Sequence, residues 1–268
     1  MNAAGALARR EIVRFFRQPS RVVGAVLPPI MAWVLIGSGF GSSFRAPGAA
    51  AASSSYFAYF FPGTVVLVVL FASIFSTISV IEDRREGFLQ AVLVSPARPS
   101  EIVLGKVAGG TVLGFLQGGV LLLLVPVLGL PWRSSAFLGA IGIVLVVSFA
   151  LTGLGFTIAW SLESTQGFHA IMNLFLIPMW LLSGAFFPMA GAPRWLQVAM
   201  AINPLTYGVA ALRHGLAPGS EGLPSTELTL AVTFGFALLT FASSLLVVSR
   251  NPTGPARRAL KKKKGPAS

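Results

Sequence analysis

The chain alternates long uncharged apolar runs with short polar connections. Six runs stand out, at 22–40, 57–81, 107–130, 136–160, 169–187 and 228–249. Each is close to the about 20 residues that an α-helix needs to cross a hydrocarbon core. None alternates polar and apolar positions as a barrel strand does, and in lipid an unclosed strand leaves its backbone unpaired, so the runs predict helices. No Asp, Glu, Lys or Arg falls inside any of them. The expected fold class is an all-α integral membrane protein with six transmembrane helices.

The segments between the runs carry patterns of their own. In residues 1–21, Arg10, Arg14, Arg17 and Arg21 recur on one helical face and Ala8, Ile12, Phe15 and Phe16 on another, until Pro19 ends the pattern. That predicts an N-terminal amphipathic helix lying in the membrane interface. The connection at 82–106, EDRREGFLQAVLVSPARPSEIVLGK, holds four of the eight acids in the chain. Within it Phe88, Leu89, Val92 and Leu93 share one face between Gly87 and Pro96. One or two short helices with an apolar docking face are expected there. Residues 188–227 are too apolar for an ordinary loop, yet 195–202 is too short to span. Asn203 followed by Pro204 reads as a helix N-cap with proline in the first turn. Two short helices dipping into the outer leaflet fit this segment, with Trp195, Tyr207, Tyr56, Tyr59 and Trp132 marking the interface.

Charge placement sets the orientation. With 20 Lys and Arg against 8 Asp and Glu the net charge is +12, which by itself would fit a nucleic-acid binder. Six spans place both termini on one side, and that side receives sixteen of the basic residues, while Arg45, Arg133, Arg194 and Arg213 fall on the other. Basic residues are retained in the cytoplasm during insertion, so both termini are expected there, their charge facing anionic lipid. The first run, followed by Ser42 and Ser43, has the look of a signal peptide, but the further spans and basic loops argue for a retained helix.

Composition excludes several chemistries. Hydrophobic residues make up 54% of the chain and charged residues 10%, which leaves little for a soluble catalytic domain. There is no cysteine and there are two histidines, His169 and His214, so no thiolate or three-histidine metal site is expected. The Gly105-Lys106 pair has Ser100 and Val107 where a P-loop needs glycine and Ser or Thr. The glycines of GSGFG do not follow a strand, so a dinucleotide fingerprint is rejected as well. Glu82, Asp83 and Glu86 sit beside Arg84 and Arg85 and read as an ion-paired loop end rather than an acid–base pair. The chain is not expected to be an enzyme.

Inside the spans Gln117, Asn173, Ser73, Ser76, Thr77 and Ser79 are the polar groups able to line a path or to bond neighbouring helices. A mid-membrane charge, at a cost of about 2.5–3.5 kcal/mol, is the usual mark of an ion-coupled carrier, and its absence weighs against one. Gly110, Gly114 and Gly118 form a flat strip on the third span where another backbone can approach.

Taken in order, RFFRQPSRVV with LPPIMAWVLIGSGFG (14–41), YFAYFFPG (56–63), DRREGFLQAVLVSPARPSEIVLGK (83–106) and NPLTYGVAALR (203–213) resemble the membrane subunits of ABC-2 type exporters, above all the daunorubicin-resistance-type permeases. The resemblance implies a half-transporter that pairs into a homo- or heterodimer and binds a separate ATPase subunit, where ATP and Mg would be held. It implies a connecting helix at 1–21, a six-span domain at 22–249 and a basic tail at 250–268, in a bacterial inner membrane. An outer re-entrant hairpin between helices 5 and 6 would include Trp195, Asn203, Pro204, Tyr207 and Arg213. Coupling to the ATPase would fall to Arg10, Arg14, Glu82, Asp83, Arg84, Arg85, Glu86, Gly87, Phe88, Leu89 and Val92. Of these Glu82, Arg84 and Glu86 would orient the loop by ion pairs, while Phe88, Leu89 and Val92 fill an apolar recess on the partner. The substrate path would draw on Gln117, Asn173, Ser76 and Thr77, and the cargo class is amphipathic: a drug, lipid or glycan-like molecule. The rival is a stand-alone carrier or channel.

Overall fold

The computed structural model describes residues 3–40, 56–128, 134–216 and 223–251, and among these residues the chain is helical with no strand. Six helical stretches are long and apolar enough to cross a membrane: Pro19–Phe40, Tyr56–Arg85, Pro99–Leu122, Phe137–Ser161, Thr165–Ala185 and Thr226–Arg250. They follow an N-terminal helix α1 (Ala3–Phe16) and comprise α2 (Pro19–Phe40), α3 (Tyr56–Arg85), α5 (Pro99–Leu122), α6 (Ser134–Ser161), a composite fifth span and α11 (Thr226–Arg250). A short α4 (Phe88–Leu93) joins α3 to α5. After the fifth span come α9 (Arg194–Ile202) and α10 (Pro204–Leu216). Gly41, Ser42, Ser43, Arg45, Trp132, Arg133 and the Lys261 to Lys264 tail lie outside the described residues.

Helix α3 is the axis of the bundle. It packs against α2, α5 and α6, while α11 and α10 lie on α6 and α1 lies on α5. Phe60, Phe61, Val65, Val68, Leu70 and Ile74 of α3 are covered on all sides by protein. The glycine strip of α5 explains how its neighbours come so close. A Cβ at Gly110 would lie 2.5 Å from both Ser76 Oγ and Thr152 Cγ2, and one at Gly114 would lie 2.6 Å from Ser73 Oγ. At Gly118 it would meet Val69 at 2.5 Å and Val144 at 3.0 Å. The strip therefore packs α5 against α3 and α6 of its own chain, where small residues let helices approach in the absence of a hydrophobic driving force.

Two sequence expectations are corrected here. The connection at 82–106 is mostly helix, because α3 runs through Arg85 and α5 starts at Pro99. The spans also contain charge: Glu82, Asp83, Arg84 and Arg85 belong to α3 and Lys106 to α5. Both follow from one cause. Glu82, Asp83 and Lys106 are paired with opposite charges on other helices, and Arg84 and Arg85 with backbone carbonyls at 160–163, so the helical backbone continues past the end of the apolar run.

The fifth span is not one regular helix. α7 (Thr165–Ile171) leads into a π-helical turn at Met172–Leu176, then α8 (Ile177–Trp180), then a second π turn at Leu181–Ala185. Pro178 lacks an N–H and its ring crowds the carbonyl four residues back, and the wider π turn relieves that clash. The span ends where Gly184 takes φ +76°, a left-handed conformation that favours glycine.

Candidate functional site

α1, α2, α3 and α5 bring a knot of charge to the end of the bundle that carries α4. The acids are Glu11, Glu82, Asp83 and Glu86, and the bases are Arg10, Arg14, Arg21 and Lys106. Asp83 is fully buried and sits at the centre. It accepts two hydrogen bonds of 2.8 Å from the Arg10 fork, one of 2.6 Å from Arg14, and a further one from Lys106 Nζ. Lys106 Nζ also donates to Glu11 at 2.7 Å and to Ser79 Oγ at 3.3 Å. Arg14 reaches on to Glu82 at 2.9 Å and Glu86 at 3.2 Å, and Arg21 pairs with Glu82. Acids and bases balance in number, which makes burial of so many ions tolerable. The hydrogen bonds from Arg10 to Asp83 hold the Arg10 guanidinium above its usual pKa, against the opposing effect of burial.

Close packing seats α1 over this knot. A Cβ at Gly105 would lie 2.7 Å from the Ala4 carbonyl and 2.8 Å from Leu7 Cβ, and one at Gly109 would lie 2.8 Å from Glu11 Cβ. Only glycines allow that approach, and it brings Glu11 within reach of Lys106. The buried stripe of α1 is accordingly Ala4, Leu7, Glu11 and Phe15, while Phe16 remains exposed. The face expected from Ala8, Ile12, Phe15 and Phe16 is thus shifted, since glycines of α5 and not periodicity alone choose which side is covered.

Gly87, at φ +81°, makes the turn from α3 into α4. Phe88 then lies under the Arg10 guanidinium, 3.7 Å from it, and Leu89 is 2% exposed. This corrects the expected division of labour. Phe88 and Leu89 fasten α4 to its own chain, and Val92 is partly covered, so the open side of α4 consists of Gln90 and Ala91 and is continued by Val94 just past its end, 87% exposed. Arg84 departs from expectation too. It donates not to a carboxylate but to the backbone carbonyls of Leu162 at 2.7 Å and Trp160 at 2.9 Å, and Arg85 donates to that of Glu163 at 3.2 Å.

At the opposite end, polar side chains close the broken end of the fifth span. Arg213 donates to the Gly184 carbonyl at 3.2 Å and to that of Tyr59 at 3.3 Å, with its guanidinium 4.1 Å from the Tyr59 ring. Tyr59 Oη donates to Gly184 O at 3.1 Å and Tyr56 Oη to Phe186 O at 2.8 Å. Asn203 caps α10 as its sequence predicts, accepting from the Leu205 N–H at 3.0 Å, and donates to the Met179 carbonyl at 2.6 Å. Pro204 opens α10, Tyr207 Oη donates to the Ala201 carbonyl at 2.8 Å, and Trp195 is exposed. Tyr56 is buried inside the chain instead of marking an interface, because its hydroxyl has a carbonyl to satisfy.

The expected path residues are divided. Ser76 and Thr77 are buried and bond carbonyls of their own helix, Ser73 O at 2.6 Å and Ile74 O at 2.7 Å. Gln117 is buried with no hydrogen-bond partner for either amide atom. Asn173 lies on the exterior of the fifth span. Sequence reasoning missed Glu11, Arg21 and Lys106 as members of the charge knot. The available signals were an acid alone in a basic segment, and a lysine set between Gly105 and Gly109 on a helix.

The sequence family described as ABC-2 type transporter matches residues 2–217. A putative transport permease ycf38 of Cyanophora paradoxa is 27% identical over 211 residues, covering 77% of this chain and 71% of that protein. The linearmycin resistance permease protein LnrN of Bacillus subtilis is 28% identical over 186 residues, covering 68% of this chain and 47% of that protein. The daunorubicin resistance ABC transporter permease protein DrrB1 of Streptomyces coeruleorubidus is 23% identical over 252 residues, covering 90% of this chain and 84% of that protein. The chain belongs to the ABC-2 type transporter family. It is a multi-pass membrane protein and the permease component of an ABC transporter.

Proposed function

We propose that this permease forms a dimer and works with a separate ABC ATPase subunit, which holds ATP and Mg, to export an amphipathic substrate. The observation that carries this reading is the build of α4. One side of it is fastened by Leu89 and by Phe88 under Arg10, and the other presents Gln90 and Ala91, continued by Val94 just past its end. A short helix held so firmly can receive a push from a partner and pass it to α3. The excess of basic residues supports a cytoplasmic position for this end and for both termini, in a bacterial inner membrane. The relatives named for daunorubicin and linearmycin resistance support a drug-like or lipid-like cargo. The basic face of α1 supports a place for that helix along the interface, and the apolar face of α9, with Trp195, Val198 and Ile202 exposed, supports a hairpin that re-enters the outer leaflet.

The test is co-expression with ABC ATPase subunits from the same organism, followed by pull-down. Val94→Arg and Ala91→Arg should abolish recovery of the ATPase while the permease still inserts. Undiminished association in both variants would overturn α4 as the docking element, and no ATPase recovered with the native chain would overturn the reading as a whole.

A further inference from the structure

Asp83 and Arg84 are neighbours on α3, opposite in charge, and they hold different parts of the bundle. Asp83 holds α1 and α5 through Arg10, Arg14 and Lys106. Arg84, itself 8% exposed, turns to the end of α6. Its two terminal nitrogens bond the carbonyls of Trp160 and Leu162, at 2.9 and 2.7 Å. Carbonyls of a last helical turn have no partner within the helix and carry the negative end of its dipole, so a forked cation suits them in both geometry and charge. The Arg84 guanidinium also lies 5.4 Å from the Trp160 ring, and the Trp160 indole N–H donates to the Asn251 carbonyl at 2.9 Å, just past the end of α11. Thr157 of α6 meets Ser243 and Ser244 of α11 at 3.0 and 3.1 Å, and Ser244 donates to the Gly153 carbonyl at 2.9 Å. A continuous line of bonds thus runs from the base of α4, through Arg84, to the ends of α6 and α11.

We propose that Arg84 is a positioning residue that locks the ends of α6 and α11 to α3, so that a displacement of α4 is delivered to those two helices. The delivery step rests on the ATPase reading above; the lock does not. Without Arg84, α3 would still be tied to α1 and α5 by Asp83, but the end of α6, and α11 through it, would be held to this end of α3 only by the exposed Arg85 bond to the Glu163 carbonyl and by apolar contact.

The chain has no cysteine, so spin labels can be placed in the native sequence. The full-length protein in nanodiscs would carry labels at Val13→Cys on α1 and Ser249→Cys on α11, with Val13→Cys and Leu104→Cys on α5 as the control pair; all three positions are exposed. Reconstituted with an excess of unlabelled chains, so that each particle holds one labelled copy, the native protein should give one narrow distance for each pair. Arg84→Gln should broaden the α1–α11 distance and leave the α1–α5 distance unchanged, and Arg84→Lys, which keeps the charge but not the fork, should fall between. In the complex with its ATPase, a single label at Ser249→Cys reads the distance between the two permease copies. Trapping with ADP and vanadate should shift that distance in the native protein, and the shift should be lost in Arg84→Gln with ATP hydrolysis retained. Native widths and a native shift in both Arg84 variants would overturn the proposal. A native protein whose Ser249 distance does not respond to trapping would instead overturn ATP-driven motion, with the lock still decided by the widths measured without the partner.

Discussion

Replacing Asp83 with asparagine keeps the shape of the side chain and removes one charge from the centre of the knot. Asp83 is fully buried and serves three cations, of which Lys106 has a side chain only 3% exposed. Removing one member of a buried ion pair costs about 3–5 kcal/mol, mostly the penalty of leaving its partner unpaired. Glu11 still faces Lys106 at 2.7 Å and Glu82 still faces Arg14 at 2.9 Å, so the lower end, about 3 kcal/mol, applies. That corresponds to roughly a hundredfold rise in the population with α1 detached. Proteolysis follows this open population when opening and closing are fast relative to cleavage. Limited trypsin digestion in detergent, scored as cleavage after Arg9, Arg10 and Arg14, should therefore accelerate about a hundredfold in Asp83→Asn and hardly at all in Glu227→Gln, an exposed acid far along the chain. Adding Lys106→Met to Asp83→Asn should recover part of the loss, because the two side chains are in contact and their effects couple. Native resistance to trypsin in Asp83→Asn would show that apolar packing holds α1 and that the ion knot contributes nothing.

Gly114→Leu should cost about 1–3 kcal/mol by overpacking, seen as reduced yield and monodispersity in detergent, whereas Gly119→Leu, with nothing within 4 Å of its Cβ position, should be tolerated. Equal behaviour of the two would refute the role of the strip. Asn203→Ala removes both the cap of α10 and the bond to the Met179 carbonyl, and the thermal unfolding midpoint should fall by an amount reflecting about 1–3 kcal/mol. An unchanged midpoint would mean that the end of the fifth span is held elsewhere. For topology, an impermeant maleimide should label Ser220→Cys from outside the cell and Ser95→Cys only after permeabilisation, and the reverse pattern would invert the orientation.

The number and positions of the spans were legible because crossing a hydrocarbon core is a local requirement: each run of about 20 apolar residues must satisfy its own backbone, whatever surrounds it. Local chemistry likewise placed the short helix after Gly87 and the cap at Asn203, since each depends on residues a few positions apart. The helix ends were misjudged where charge is paired at long range. Arg10 and Asp83 are 73 positions apart, and Lys106 and Glu11 are 95 apart. Counting charges along the chain therefore places 82–85 in a loop, although the partners of Glu82 and Asp83 on α1, α2 and α5, and the carbonyls at the end of α6 that Arg84 and Arg85 bond, keep them in the helix.

The sequence by itself determined the class of solvent and the number of apolar spans, both of which follow from short windows of hydropathy. Only the tertiary structure decided that the glycines of α5 serve α1 on one face and α3 and α6 on another, that Phe88 and Leu89 point inward, and that Asp83 and Arg84 divide the bundle between them. Direction is the physical reason: in a helix one residue differs from the next by about 100°, and which of those directions meets a partner depends on helices that the chain brings together from far away.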